Sequence, residues 1–334
     1  MTWLVTGGAG YIGAHVVRAM VADGARVVAL DDLSTGDASR VDRDAAFVHG
    51  TLLDGDLVRR TLAEHGVTGV VHIAAKKQVG ESVADPLLYW RENLTGLVSL
   101  LDACRDAGVD RFVFSSSAAT YGMPDVDVVT EDTPGAPLSP YGETKLVGEW
   151  VLRACDGAYG LRTLSLRYFN VAGAATPELG DAGVFNLVPM VFERLEAGQR
   201  PRVFGNDYPT PDGTCVRDYV HVADIASAHL AAARALDAGA PSATYNIGRG
   251  EGASVLEVVR TVGEVTGLDV TPEFAPRRPG DPARVVASAD RIREALGFVA
   301  RHDLRDMVES AWAGWRLRHP ASTGGADRTS LTPS

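Results

Sequence analysis

Tyr141 and Lys145, in the segment SPYGETK, stand four residues apart, the spacing that puts two side chains on one face of a helix. A free phenol has a pKa of about 10 and is a poor base at neutral pH, but a neighbouring cation favours its phenolate. Lowering that pKa by roughly three units, to neutral pH, needs about 4 kcal/mol, about what one unit charge ~4 Å away supplies at an effective dielectric of ~20. The pair is therefore suited to taking a proton from an alcohol. Alone the spacing is common, since Tyr and Lys four apart on an amphipathic helix are usually solvent-facing neighbours, so its meaning rests on its company.

That company begins at the N-terminus. The apolar run Thr2 to Thr6 is followed by GGAGYIG and an amphipathic stretch from His15 to Ala22, which reads as strand, tight turn and helix. Gly7, Gly10 and Gly13, with Tyr11 and Ile12 between them, would let the backbone approach a pyrophosphate at a helix N-terminus, in the spacing GxxGxxG. A second strand, Arg26 to Leu30, ends in Asp31, where a carboxylate reaches a ribose 2′-hydroxyl and repels a 2′-phosphate. The expected cofactor is NAD, and the positive ring of its oxidised form is a second cation for the Tyr141 phenol.

These residues need a frame. Apolar runs at Thr2 to Thr6, Arg26 to Leu30, Ala46 to His49, Gly69 to Ala74, Arg111 to Ser115 and Thr163 to Tyr168 alternate with helical stretches. The rhythm predicts an α/β fold, a Rossmann-type doubly wound parallel sheet, with ligands outside the carboxyl ends of its strands. The segments IAAKKQVGES, FSSSAATYG and LRYFNVAG leave strands towards that crevice. Beyond Ala172 loops rich in Gly, Pro and Asp (173–183, 205–213, 277–282) separate short elements, as suits a smaller C-terminal α/β substrate-binding lobe. The helical stretch Leu87 to Cys104 is apolar around much of its circumference, more than a helix on a sheet requires, so its spare face could meet a partner subunit. The tail after Pro320 has the composition of a disordered segment.

With 334 residues the chain can bury a large core. Its formal net charge of −11 argues against nucleic acid or an anionic membrane as partner, and an anionic substrate would need local arginines. Cys104, Cys155 and Cys215 are widely spaced, suggesting neither a disulfide framework nor a metal site, and His72 lies inside an apolar run as a core or strand-end residue. The N-terminus enters its strand at once and no apolar run reaches the ~20 residues of a membrane span, so the cytoplasm is the expected compartment.

Together, VTGGAGYIG, FSSSAATYG, SPYGETK and LRYFNVAG resemble the extended short-chain dehydrogenases/reductases, while GNDYPTPDGTCVRDYVHVAD and APRRPGD resemble the UDP-glucose 4-epimerase (UDP-galactose 4-epimerase) family. The resemblance runs from Thr2 to about Arg318 and implies a division into residues 1–172 (NAD-binding), 173–318 (mainly UDP-sugar-binding, with segments returning to the sheet) and 319–334 (tail). It places Ser117 on the sugar 4-hydroxyl beside Tyr141 and Lys145, Lys77 and Asn93 near the cofactor ribose and nicotinamide, and Phe169 beside the nicotinamide. It also places Asn170, Asn186, Arg217, Arg278 and Asp281 on the UDP-sugar, where forked guanidinium donors suit a diphosphate. Dehydratases of the superfamily carry an acidic residue just after the catalytic Ser or Thr, where this chain has Ala118 and Ala119. The implied chemistry is transient oxidation at C4 by tightly held NAD and return of hydride to the opposite face of a 4-keto sugar, in a homodimer. A 4-epimerase of pentose or uronate UDP-sugars, a net dehydrogenase and a non-catalytic NAD-binding protein are the alternatives. Two positions depart from the family pattern: Thr51 replaces an aspartate that contacts adenine, and Val285 stands where a bulky tyrosine or a smaller residue borders the sugar C2 substituent, leaving room for UDP-GalNAc and UDP-GlcNAc.

Overall fold

The computed structural model describes residues 1–278 and 281–320; the expected disordered tail therefore lies almost wholly outside the described residues. In chain order the strands are β1 (Thr2–Thr6), β2 (Arg26–Asp31), β3 (Ala46–His49), β4 (Gly69–His72), β5 (Arg111–Ser117), β6 (Arg162–Tyr168), β7 (Asn170–Ala172), β8 (Arg202–Phe204), β9 (Val216–His221), β10 (Ala243–Ile247), β11 (Gly252–Ser254), β12 (Glu273–Ala275) and β13 (Arg284–Val285). Seven of them form one sheet in the order β10-β6-β5-β4-β1-β2-β3, and every pair in it is parallel. β1 has β2 on one side and β4 on the other, so the chain reverses its direction of travel across the sheet there, and the crevice at the ends of β1 and β4 is where ligands bind such folds.

The central strands are buried on both faces, as parallel strands require. On one face Val5, Val71 and Leu166 pack with Val16, Met20 and Ile225 of helices Tyr11–Ala22 and Val222–Asp237. On the other, Leu4, Val28 and Phe112 pack with Leu62, Leu100 and Leu152 of helices Gly55–His65, Gly96–Ala107 and Pro140–Tyr159. A third core gathers Phe192, Val203, Tyr219, Val258, Met307 and Trp315 from the chain beyond β7. Its strands are short: β11 and β13 flank β9, β7 pairs with β9, and β8 pairs with β12.

Two differences from the sequence reading matter for the site. The run Leu87 to Cys104 is not one helix: Pro86–Tyr89 is followed by a wider π-turn, Trp90–Thr95, before Gly96–Ala107. Such widened turns accompany functional sites, and this one carries Asn93. The seventh strand, β10, comes from late in the chain and extends the sheet beside β6.

Candidate active site

The glycine turn lies at the carboxyl end of β1. A Cβ on Gly13 would come 1.9 Å from the Gly7 carbonyl oxygen, so only glycine lets the helix pack this tightly on the turn. The helix Tyr11–Ala22 has Gly10 at its N-cap, no side-chain hydrogen bond capping it and no acidic residue in its first turn. By contrast the helix Gly55–His65 is capped by Asp54. An uncapped helix N-terminus behind a close-packed glycine turn fits the pyrophosphate of a dinucleotide. Asp31 ends β2 beside this turn; its carboxylate accepts from the backbone N–H of Ala9 at 3.0 Å and of Leu33 at 2.8 Å. Burial raises its pKa, and those bonds oppose the rise. NAD therefore fits the residues present, and Gly7, Gly10, Tyr11, Ile12, Gly13 and Asp31 are the ones that would hold it. Thr51 makes only a local turn, its hydroxyl accepting from Leu53 N–H at 3.3 Å.

Across the crevice, β5 runs through Ser115 and Ser116 to Ser117, and the helix Pro140–Tyr159 starts against the turn that follows. A Cβ on Gly142 would lie 2.6 Å from the Ala119 carbonyl oxygen, so this glycine permits the approach that sets Tyr141 beside Ser117. The Ser117 side chain lies close enough to the Tyr141 phenol to pull its pKa down, against the larger upward push of burial. The net direction is upward, so of the two cations in the sequence reading, Lys145 and the nicotinamide ring, Lys145 does not by itself lower it. The reason is visible: the Lys145 ammonium is buried and donates to the Ser115 carbonyl at 2.8 Å. Burial brings Lys145 itself down to about 7, with the Glu149 carboxylate opposing.

Glu149, one further helical turn along, was not anticipated. It accepts from the Ser116 hydroxyl at 2.5 Å and from Arg167 of β6 at 2.8 and 2.5 Å, all three residues buried. The guanidinium lies 4.7 Å from the centre of the Tyr121 ring, whose hydroxyl donates to Asn246 at 2.6 Å. This buried network lies under the serine run and ties β5, β6 and β10 to the helix, leaving only the second terminal nitrogen of Arg167 without a hydrogen-bond partner among the described residues. Its sequence signal was the extension of the Tyr141–Lys145 spacing by another four residues.

Asn93 is buried, and all its amide groups are engaged: Oδ1 accepts from Lys76 N–H at 2.7 Å, while Nδ2 donates to the Lys76 carbonyl at 3.0 Å and to Thr144 Oγ1 at 3.1 Å. It thus fixes the strand-end loop that carries Lys77 against the Tyr141 helix. The Lys77 ammonium lies 5.9 Å from the centre of the Tyr11 ring, bringing that loop to the glycine turn. Phe169 packs with Tyr121, Val129 and Ala287, and Ala118 and Val285 pack on the same cluster, so Val285 does border the surroundings of the serine turn.

The residues assigned to the sugar nucleotide are spread further apart. Arg217 and Asp281 form an ion pair at 3.0 Å, and β13 sets Val285 opposite Arg217. The Asn170 amide donates to the Asp218 carbonyl at 3.1 Å. Arg278 stacks over Phe204 at 4.0 Å, and Asn186 donates to Asp181 at 2.8 Å. No hydrogen bond among the described residues joins Arg278 or Asn186 to Arg217. The residue that organises this region was missed by sequence reasoning: the buried Asp218 carboxylate accepts from the N–H groups of Arg249 (2.9 Å), Gly250 (3.0 Å) and Ala287 (3.2 Å). Burial nonetheless raises its pKa to about 6.

Comparison with known proteins agrees with this geometry. The pattern of the "NAD dependent epimerase/dehydratase family" matches residues 3–248. A UDP-glucose 4-epimerase of Azospirillum brasilense is 46% identical over 97% of this chain and 94% of its own. A UDP-glucose-4-epimerase from Stenotrophomonas maltophila, solved with bound NAD and formylated UDP-arabinopyranose, superposes with a TM-score of 0.93 at 41% identity over 96% of this chain and 100% of its own. A UDP-Glc/GlcNAc 4-epimerase from Campylobacter jejuni does so with a TM-score of 0.85 at 38% identity, over 95% of this chain and 99% of its own. Because the match spans both the glycine turn and the Ser117–Tyr141–Lys145 cluster, and the likeness continues through the third core, the chain belongs to the NAD dependent epimerase/dehydratase family.

Proposed function

We propose that the chain interconverts UDP-galactose and UDP-glucose by 4-epimerisation with NAD. The observation that carries this reading is the placement of Ser117 against Tyr141 at the strand-end crevice, with Ala118 and Ala119 where a dehydratase needs an acid. NAD, when bound, accepts and returns the C4 hydride and adds a positive charge beside the phenol. Ser117 orients the sugar hydroxyl, and Tyr141 takes its proton and later gives it back. Lys145, fixed by the Ser115 carbonyl, orients the cofactor ribose. Arg217, Arg278, Asp281, Asn170 and Asn186 hold the UDP-sugar, gripping the nucleotide while the sugar turns. The test is incubation with UDP-galactose without added NAD. Formation of UDP-glucose with no net NADH is the expected result; stoichiometric NADH would make the protein a dehydrogenase.

The size of Val285 favours a second substrate class. Valine in the cluster with Phe169 and Ala118 leaves room at the sugar C2 substituent, so UDP-GalNAc and UDP-GlcNAc are expected to interconvert, and no turnover of either at high enzyme concentration would overturn this. We also propose a homodimer. Val98 and Trp150 present apolar surface on helices whose other faces are buried, and Leu87 (75% exposed) adds to it from the short helix Pro86–Tyr89. Light scattering gives the mass, and a monomer at micromolar concentration contradicts it.

A further inference from the structure

The segment from Gly173 to Asn186 joins β7 to the helix Leu187–Glu196 and is held from the cofactor-binding half of the molecule. Tyr11, His15 and Arg18, spaced four and three residues apart on one face of the helix after the glycine turn, each touch it. The Tyr11 hydroxyl donates to the Gly173 carbonyl at 2.5 Å, His15 Nε2 accepts from Ala175 N–H at 3.0 Å, and Arg18 donates to Thr176 Oγ1 at 2.9 Å. Arg40, beyond β2, donates to the carbonyls of Leu179 (2.7 Å) and Gly180 (3.0 Å), and Arg318 of the last helix donates to the carbonyl of Asp181. Ser310 Oγ also accepts from Ala174 N–H at 3.2 Å, so five side chains from outside the segment, Tyr11, His15, Arg40, Ser310 and Arg318, fix its backbone up to Asp181, and Arg18 holds the Thr176 hydroxyl. The Asp181 carboxylate then accepts from Gly183 N–H at 3.1 Å and from the Asn186 amide nitrogen at 2.8 Å.

A carboxylate only accepts hydrogen bonds, so the Asn186 amide can meet Asp181 only through its NH2 group. That settles which end of the amide faces away: Asn186 Oδ1 has no protein partner among the described residues. We propose that Asp181 is a positioning residue for nucleotide binding, setting the Asn186 amide so that its carbonyl oxygen is offered to the uridine nucleotide. This rests on the reading of Asn186 as a UDP-sugar residue. Asparagine at position 181 would keep the size of the side chain but could meet either end of the Asn186 amide, and alanine would meet neither.

The experiment is a double-mutant cycle on the NAD-loaded protein, with UDP itself as the probe and its affinity read by calorimetry. Thermal unfolding of each variant shows that it is folded. Asp181→Ala and Asp181→Asn are each expected to weaken UDP by about three- to tenfold, the factor one hydrogen bond is worth. Neither is expected to weaken it further in an Asn186→Ala background, and kcat should fall less than twofold while KM rises. The proposal is overturned if both Asp181 variants bind UDP as the parent does, or if their losses persist in full without Asn186, as a general loosening of the fold would give. If Asn186→Ala alone leaves UDP binding unchanged, the assignment of Asn186 fails and takes the proposal with it. Failure of the epimerase reading shows separately, as absent turnover of UDP-galactose by a protein that still binds UDP.

Discussion

The two halves of this molecule hold their functional residues by different means. In the parallel sheet the backbone does it: seven strands in register bring the glycine turn, Asp31 and Ser117 to one edge, and close contacts at Gly13 and Gly142 seat the helices. In the region from β7 onward the strands outside the large sheet are two to six residues long, and carboxylates gather the loops instead. Asp218 pins three backbone N–H groups, Asp212 caps Thr214 and accepts from Ser254, and Asp181 meets Asn186. A sheet fixes its reacting groups through many backbone hydrogen bonds that no one side chain controls. A clamped loop can be redirected by changing one residue, which suits the part of the molecule that must grip one nucleotide sugar and not another.

Acid should break both halves together. His15, His72, His221 and His229 are buried, and burial lowers each below its usual pKa of 6.5, to about 3 for His72 and about 4 for the others. In three of them one ring nitrogen must accept: in His15 from Ala175 N–H, in His221 from Ala223 N–H and in His229, whose other nitrogen faces the Ile225 carbonyl, from the Ser115 hydroxyl, while His72 shares its hydrogen bond with the Thr6 hydroxyl. The unfolded chain therefore binds more protons below pH 6.5, and stability falls from there towards pH 4, by on the order of 3 kcal/mol per histidine. Since His15 and His221 lie against the Gly173–Ala175 turn, while His72 ends β4 and His229, on the helix Val222–Asp237, reaches Ser115 of β5, one cooperative loss of circular dichroism above pH 4 is expected. A native spectrum at pH 4 would contradict the burial argument.

Tyr141→Phe is next in size. It leaves the sheet intact and removes the proton carrier, so kcat should fall by about 10³-fold with NAD content unchanged, as measured by absorbance after denaturation. Gly13→Ala attacks the backbone-built half directly. The added methyl meets a carbonyl oxygen that cannot move without the turn, and a loss of about 3 kcal/mol with little retained NAD is expected, read from the melting temperature and the cofactor content. Asp218→Ala is comparable in stability but narrower in reach, about 3 kcal/mol at about 1 kcal/mol for each of the three N–H groups left unpaired. It should weaken UDP binding and spare NAD binding, which would sharpen the contrast between the halves; equal loss of both would erase it.

The sequence was legible where local pattern and function coincide. Six of the seven sheet strands follow apolar runs, the glycine turn, Asp31 and the Tyr141–Lys145 pair follow spacing, and Ser117 follows the family motif FSSSAATYG. The seventh strand, ATYNI, was not singled out because it is short and mixed, taking its place from pairing with β6 rather than from its own pattern. The π-turn at Trp90–Thr95 leaves the apolar pattern of a helix almost unchanged, so it too was hidden. Asp218 and Asp181 were invisible for a deeper reason. Asp218 bonds N–H groups more than thirty residues away, and what positions Asp181 comes from Arg40 and Arg318, so nothing near either aspartate in the sequence reports the clamp.

The central claim is that the C4 hydrogen leaves the sugar as hydride and returns to it, with Tyr141 handling only the hydroxyl proton. UDP-galactose carrying deuterium at C4, incubated with the purified protein in ordinary water, tests this most directly. The account predicts UDP-glucose that retains the deuterium at C4 in full. Loss of the label to solvent would mean that a base removes that hydrogen as a proton, and then neither Tyr141 as carrier of the hydroxyl proton nor the glycine turn as the seat of a hydride-accepting cofactor could stand.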